Sequence, residues 1–167
     1  VCGVGISLRS SLSTRSRDYV LFELRRRLSD LPTYIKAVLL FGSIARGEAN
    51  EYSDVDLLIL HSDLPIIDLV ERRRYLYRLI IERLGDVFDS ITLIDMSLNE
   101  FLKPDVVTPL LLNIYVDAVV ILDRVGVIEG FLSNVRRKVV EVGLKKVKDG
   151  KAYYWILPKP LEKVRIV

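Results

Sequence analysis

One stretch limits this chain more than any other. Residues 41–60, FGSIARGEANEYSDVDLLIL, set a Gly42-Ser43 turn and an Asp54-Val55-Asp56 triplet ten residues apart, between two apolar runs. The first run, 37–41, stops at Gly42 as a buried strand does when it feeds a tight turn. The second, 54–60, is rich in branched apolar residues yet opens on two carboxylates. Gly42 permits a sharp turn and close backbone approach. Ser43 adds a hydroxyl ahead of a short helix over 44–48, whose free amides can hold phosphate oxygens.

Side chains alternate along a strand, so Asp54 and Asp56 project from one face about 6.5 Å apart. Two neighbouring carboxylates on an apolar strand repel and lose hydration, a cost that a divalent cation between them reverses. Magnesium suits the pair, because it takes one or two carboxylates and completes its octahedron with water and substrate phosphates. Manganese is the alternative. A phosphate cradle facing a carboxylate pair is suited to moving a nucleotidyl group. Either piece alone is commonplace: Gly-Ser as a turn, the carboxylates as a solvated strand start. Their conjunction at this spacing carries the reading.

The surrounding chain supports a compact frame for such a site. At 167 residues, half of them apolar, it has the material for one domain with a core that needs no disulfide. A helix is expected over 16–31, with Val20, Leu21, Leu24 and Leu28 inward, Arg25 to Arg27 outward and Pro32 ending it. A second is expected over 64–84, with Ile66, Ile67, Val70, Leu76, Ile80 and Leu84 inward and Gly85 as its stop. Strands are expected over 87–94 and 118–122, helices over 104–115 and 128–148, and a last strand over 152–157 after the Asp149-Gly150 turn. The order gives an α/β (α+β) domain, 16–167, with helices packed on a sheet and a flexible N-terminal arm, 1–15.

Composition narrows partners and compartment. Basic residues exceed acidic ones by three, without a continuous basic stripe, so nucleic acid is not an implied partner. The single Cys2 lies where it has no partner to oxidise with, which reads as a reducing, cytoplasmic setting. The most apolar stretch, 106–122, is broken by Pro109, Asn113 and Asp117 and falls short of a membrane span. Absent glutamine, one Met and one Cys suggest a thermophilic source. The positive mean hydropathy suggests a surface covered by another subunit, a homo-oligomer or a partner protein.

Over residues 37–60 the chain resembles the DNA polymerase β-like nucleotidyltransferase superfamily, specifically its small archaeal and bacterial members known as minimal nucleotidyltransferases. Their signature is Gly-Ser followed at this spacing by Asp-x-Asp, present here as Gly42, Ser43, Asp54 and Asp56. The resemblance continues through the fourth strand and thins after residue 125. It implies a small mixed sheet flanked by helices, the palm-like fold of that superfamily. It further implies that a nucleotidyl group, AMP from ATP or the equivalent from another nucleoside triphosphate, moves with Mg2+ or Mn2+ to an acceptor hydroxyl. A third carboxylate is implied on a strand beside the first pair, holding metal and activating the acceptor. Asp89, in FDSITLI, matches that position, with Asp86 and Asp95 as weaker alternatives.

The resemblance also implies a helical partner protein, as in pairs where the transferase is an antitoxin that modifies a toxin. Small-molecule acceptors and a catalytically silent binding module of the same fold are the competing readings. Arg46 stands one helical turn beyond Ser43, within reach of a nucleotide phosphate, or is simply an exposed cation. Ser53 is expected to order its loop. His61 is expected on the solvent side of the second strand, the arginines at 72 to 74, 78 and 83 on a solvated helix face, and Tyr153, Tyr154 and Trp155 packed on the last strand.

Overall fold

The computed structural model describes residues 16–50, 52–150, 152–158 and 165–167. The expected arm 1–15, with Cys2, lies outside them. Ser16 caps the first helix, α1 (Arg17–Arg27), by accepting the Tyr19 amide at 3.3 Å. Such a cap is worth about 1 kcal/mol. Val20, Leu24 and Leu28 line its inner face with no exposure. The chain then forms β1 (Ile35–Phe41), α2 (Gly42–Ala45), β2 (Val55–His61), α3 (Leu69–Leu84) and β3 (Ile91–Ser97). It continues with α4 (Leu98–Leu102), α5 (Pro109–Asp117), β4 (Val119–Asp123), α6 (Ile128–Glu141), β5 (Lys145–Asp149) and β6 (Ala152–Ile156).

Four strands make a mixed sheet in the order β3-β2-β1-β4, with β1 antiparallel to both neighbours and β3 parallel to β2. A parallel pair needs a crossover, and α3 supplies it. In the central strand Ala37, Val38, Leu39 and Leu40 are all fully buried, because helices cover both faces. Val55, Leu57 and Ile59 join the core under α1 and α3, while Leu58 and Leu60 join Tyr115, Leu132 and Val135 under α5 and α6. By the same alternation Asp56 belongs to the second face. β5 and β6 form a separate hairpin, tied to α5 where the Trp155 indole donates to the Asn113 Oδ1 at 3.0 Å.

Four expected elements are corrected, among them the helix expected over 104–115, which begins at Pro109 because the Thr108 hydroxyl caps it by accepting the Leu111 amide at 3.2 Å. The helix expected over 64–84 begins at Leu69, because the Asp68 carboxylate caps it by accepting the Glu71 amide at 2.8 Å. Ile66 and Ile67 precede that cap, and Ile67 is 94% exposed rather than part of the core face. The strand expected over 87–94 is β3, Ile91–Ser97. Val87 and Phe88 are apolar because they pack against the core from the turn after α3, with the Phe88 amide on the Leu84 carbonyl at 2.9 Å. The helix expected over 128–148 ends at Glu141. Gly143 turns the chain at φ +75, and the lysines beyond it form β5. Among the described residues no helix is long and apolar enough to cross a membrane.

Candidate active site

Phe41 ends β1 opposite Asp56, and the next residue, Gly42, takes φ +74 to start α2. A Cβ at Gly42 would lie 1.9 Å from the Asp56 Oδ2, well inside contact distance. Backbone and carboxylate thus meet with no room for a side chain between them. Gly42→Ala therefore combines an unfavourable backbone region with a clash that moves Asp56. From the turn, the Ser43 carbonyl accepts the Glu48 amide at 2.9 Å. Ser53 orders the following loop as expected, its hydroxyl accepting the Asn50 amide at 2.9 Å.

Asp54 and Asp56 enter β2 half-buried. Burial and then the Asp54 charge push the Asp56 carboxyl up to about 6, against the lowering effects of a Thr92 hydrogen bond and the Arg46 charge. The pair is thus a site where negative charge is held at a cost. Hard oxygen donors, mutual repulsion and the open approach at Gly42 are what magnesium or manganese accepts, so the residues present fit such a cation. Thr92 is the register partner of Asp56 on β3 and shares its face, which sequence spacing did not reveal.

Asp89 is not on that strand. It stands in the turn before β3 and lines a small cavity of about 40 Å³ with Val20, Ile44, Ser53, Val55 and Phe88. It lies at the same end of the sheet as Asp54, since the neighbouring Ser90 carbonyl accepts the Val55 amide at 3.0 Å. Among the described residues no three His, Cys, Asp or Glu side chains converge as a metal site. The alternatives to Asp89 have other partners. Asp86 pairs with Arg27 at 2.7 Å, and Asp95, its side chain fully buried under α3, takes Arg72 at 2.7 Å, His61 at 3.2 Å and Arg73 at 3.4 Å. His61 is therefore a buried partner, not a solvent-side residue, and two of the helix arginines serve the interior.

Arg46 follows α2 and is held from several sides. Its Nε donates to the Glu48 Oε2 at 2.8 Å, its Nη1 lies 3.7 Å from the Asp117 Oδ2, and its guanidinium stands 4.7 Å from the centre of the Tyr153 ring. Burial alone would lower its pKa, but the pairing with Glu48 and Asp117 outweighs it and raises it. Glu48 in turn accepts from Arg46, the Tyr153 hydroxyl and Lys148, which hold it down to about 2. The hairpin residues Lys146, Lys148 and Tyr153 thus stand next to the site. No local pattern marks them, because the carboxylate partner of Lys146 lies 29 residues upstream and that of Lys148 and Tyr153 lies 100 and 105.

The model of the nucleotidyltransferase domain family matches residues 21–165, spanning turn, carboxylates and hairpin together. The chain belongs to that family. It is a nucleotidyltransferase enzyme. A provisionally named protein adenylyltransferase of Methanocaldococcus jannaschii is 31% identical over 105 residues, covering 60% of this chain and 67% of the relative. Among solved structures, a provisionally assigned nucleotidyltransferase from Sulfolobus solfataricus matches 74% of this chain and 94% of its own, at 19% identity and a TM-score of 0.43. A toxin-antitoxin solved with AMP-PNP matches 72% of this chain and 90% of its own, at 20% identity and a TM-score of 0.45. In this nucleotidyltransferase Gly42-Ser43 and the Asp54/Asp56 pair stand at one end of the sheet, where the inner strand β1 ends and its neighbour β2 begins.

Proposed function

We propose that the protein transfers AMP from ATP to a hydroxyl on a partner protein, with magnesium or manganese held by Asp54 and Asp56. The observation that carries the reading is the approach of Gly42 to Asp56, where any side chain would fill the space between backbone and carboxylate. Bound there, the cation would supply charge neutralisation on the triphosphate. Gly42 and Ser43 leave a bare backbone surface for the outer phosphates. Arg46 adds a fixed positive charge beside them. Thr92 holds the Asp56 carboxylate in place by its hydrogen bond. Such a site works mainly by positioning and charge stabilisation of the phosphorus under attack.

Asp89 is proposed to take the proton from the acceptor hydroxyl rather than to hold metal. Its place in the turn before β3, at the same sheet end as Asp54 but off the strand that pairs with β2, supports that division. A protein acceptor is supported by the relative that bears the name of a protein adenylyltransferase. A helical partner of the toxin-antitoxin kind fits the same reading. The test is to incubate the protein with ATP labelled at the α-phosphate, magnesium and lysate of its source, then separate protein, RNA and small metabolites. Label is expected on protein and to vanish with chelator. Label confined to RNA or a metabolite would reject the protein acceptor.

A further inference from the structure

Arg46 has a weak local footing. It follows a single helical turn, α2, and a long flexible side chain on so short an element is not fixed by its own backbone. What fixes it comes from the far end of the sequence. The two carboxylates that flank its guanidinium, Glu48 and Asp117, are each gripped by a lysine of β5. Lys148 Nζ donates to the Glu48 Oε1 at 2.9 Å, and Lys146 Nζ donates to the Asp117 Oδ2. Between them stands Tyr153 of β6. Its ring carries Arg46 at 4.7 Å and Lys146 at 4.4 Å, and its hydroxyl donates to the Glu48 Oε1. The hairpin register pairs Lys148 with Tyr153 directly, so ring and lysine reach the site as one unit.

We infer that the β5–β6 hairpin, through Tyr153, is the positioning element that aims Arg46 at the nucleotide phosphates. A cation held over an aromatic face and between two carboxylates is preorganised: it need not be ordered when the triphosphate arrives. Tyr153 touches no reacting atom in this scheme and acts only through Arg46. The inference rests on the proposed contact between Arg46 and phosphate, and the experiment separates the two.

Binding of ATP with magnesium is measured by calorimetry for the full chain and for Arg46→Ala, Tyr153→Leu, Tyr153→Phe and the double variant Arg46→Ala/Tyr153→Leu. Leucine keeps the apolar bulk that hairpin pairing needs but removes ring face and hydroxyl. Arg46→Ala is expected to weaken ATP about tenfold, as loss of a charge-assisted contact does. Tyr153→Leu is expected to weaken it about fivefold, as loss of a cation–π support does. Tyr153→Phe, which keeps the ring, should recover most of that loss. The double variant should bind no worse than Arg46→Ala alone, because the tyrosine has nothing left to position. Equal losses from Tyr153→Leu with and without Arg46, or none in either, would overturn the positioning role. No loss in Arg46→Ala would instead overturn the phosphate contact on which it rests. A general failure of the hairpin to fold would weaken the double variant beyond Arg46→Ala and count against the inference.

Discussion

Asp56 and Asp95 stand on adjacent strands of one sheet, face opposite sides of it and keep opposite company. The Asp95 side chain has no exposure and meets Arg72, Arg73 and His61, so its charge is answered from within the chain. Asp56 is half-buried beside another carboxylate, and the protein leaves its charge poorly answered. One carboxylate is spent on pinning α3 to the sheet. The other is kept costly, as suits a group that must take a ligand. Burial alone does not distinguish them, since the more deeply buried of the two is the structural one. The sign of the neighbouring charges does.

Exchanging each aspartate for asparagine tests that contrast. Asp56→Asn should abolish detectable ATP binding with magnesium, a loss of about a hundredfold or more, because charge is removed while shape is nearly kept. Asp95→Asn should leave ATP affinity within about twofold but cost roughly 2 to 3 kcal/mol of stability, at the lower end for a broken buried pair because its arginines can reach water. Calorimetry and denaturant melts of both variants decide it. Loss of ATP binding in Asp95→Asn with the fold intact would break the comparison.

A smaller effect sharpens it through pH. The folded protein holds the Asp56 proton up to about 6, above the ordinary carboxylate value of 3.8. Between those values the folded state binds more protons than the unfolded one, so this group lowers stability as pH rises and the penalty is complete above about 6. Without metal, Asp56→Asn should therefore melt higher than wild type at pH 7.5. The gain should be about 1 to 2 kcal/mol after discounting for partial exposure. It should disappear below pH 3.8. An equal melt at both pH values would mean that the pair is not strained.

The smallest effect concerns the neighbours of the pair. Thr92→Val should weaken magnesium-dependent ATP binding about threefold by removing the hydroxyl that holds Asp56. Asp89→Asn should leave binding nearly unchanged and slow adenylyl transfer by about a hundredfold, as loss of a general base does. If Asp89→Asn weakens ATP as Asp56→Asn does, Asp89 belongs with the metal ligands after all.

What was legible in the sequence was local. Gly42, Ser43, Asp54 and Asp56 sit within fifteen residues, and the alternation of β2 alone puts both carboxylates on one face. What depended on register was hidden. Apolar Val87 and Phe88 imitate the start of a strand, although they pack from a turn, so the pattern starts β3 four residues early and puts Asp89 on the strand, whereas Thr92 is the residue that pairs with Asp56. Lys145 to Lys148 continue the apparent helical pattern of α6, and only Gly143 marked the break. The pairing of His61 with Asp95 joins residues on two strands, and no spacing in one segment reveals it.

The cage around Arg46 also sets an order of events as the chain is made. Lys148 and Tyr153 meet Glu48 across separations of 100 and 105 residues. At synthesis rates of about 5 to 20 residues per second, the Gly42 turn and the carboxylate strand leave the ribosome on the order of 5 to 20 seconds before the hairpin that completes their neighbourhood. During that interval a nascent chain can fold its central strands while Arg46 still swings free. On the positioning role inferred for Tyr153, nucleotide affinity is expected to mature only once the hairpin has been made, and a message truncated before residue 153 should yield a chain with the Gly-Ser turn and carboxylate pair but without their brace.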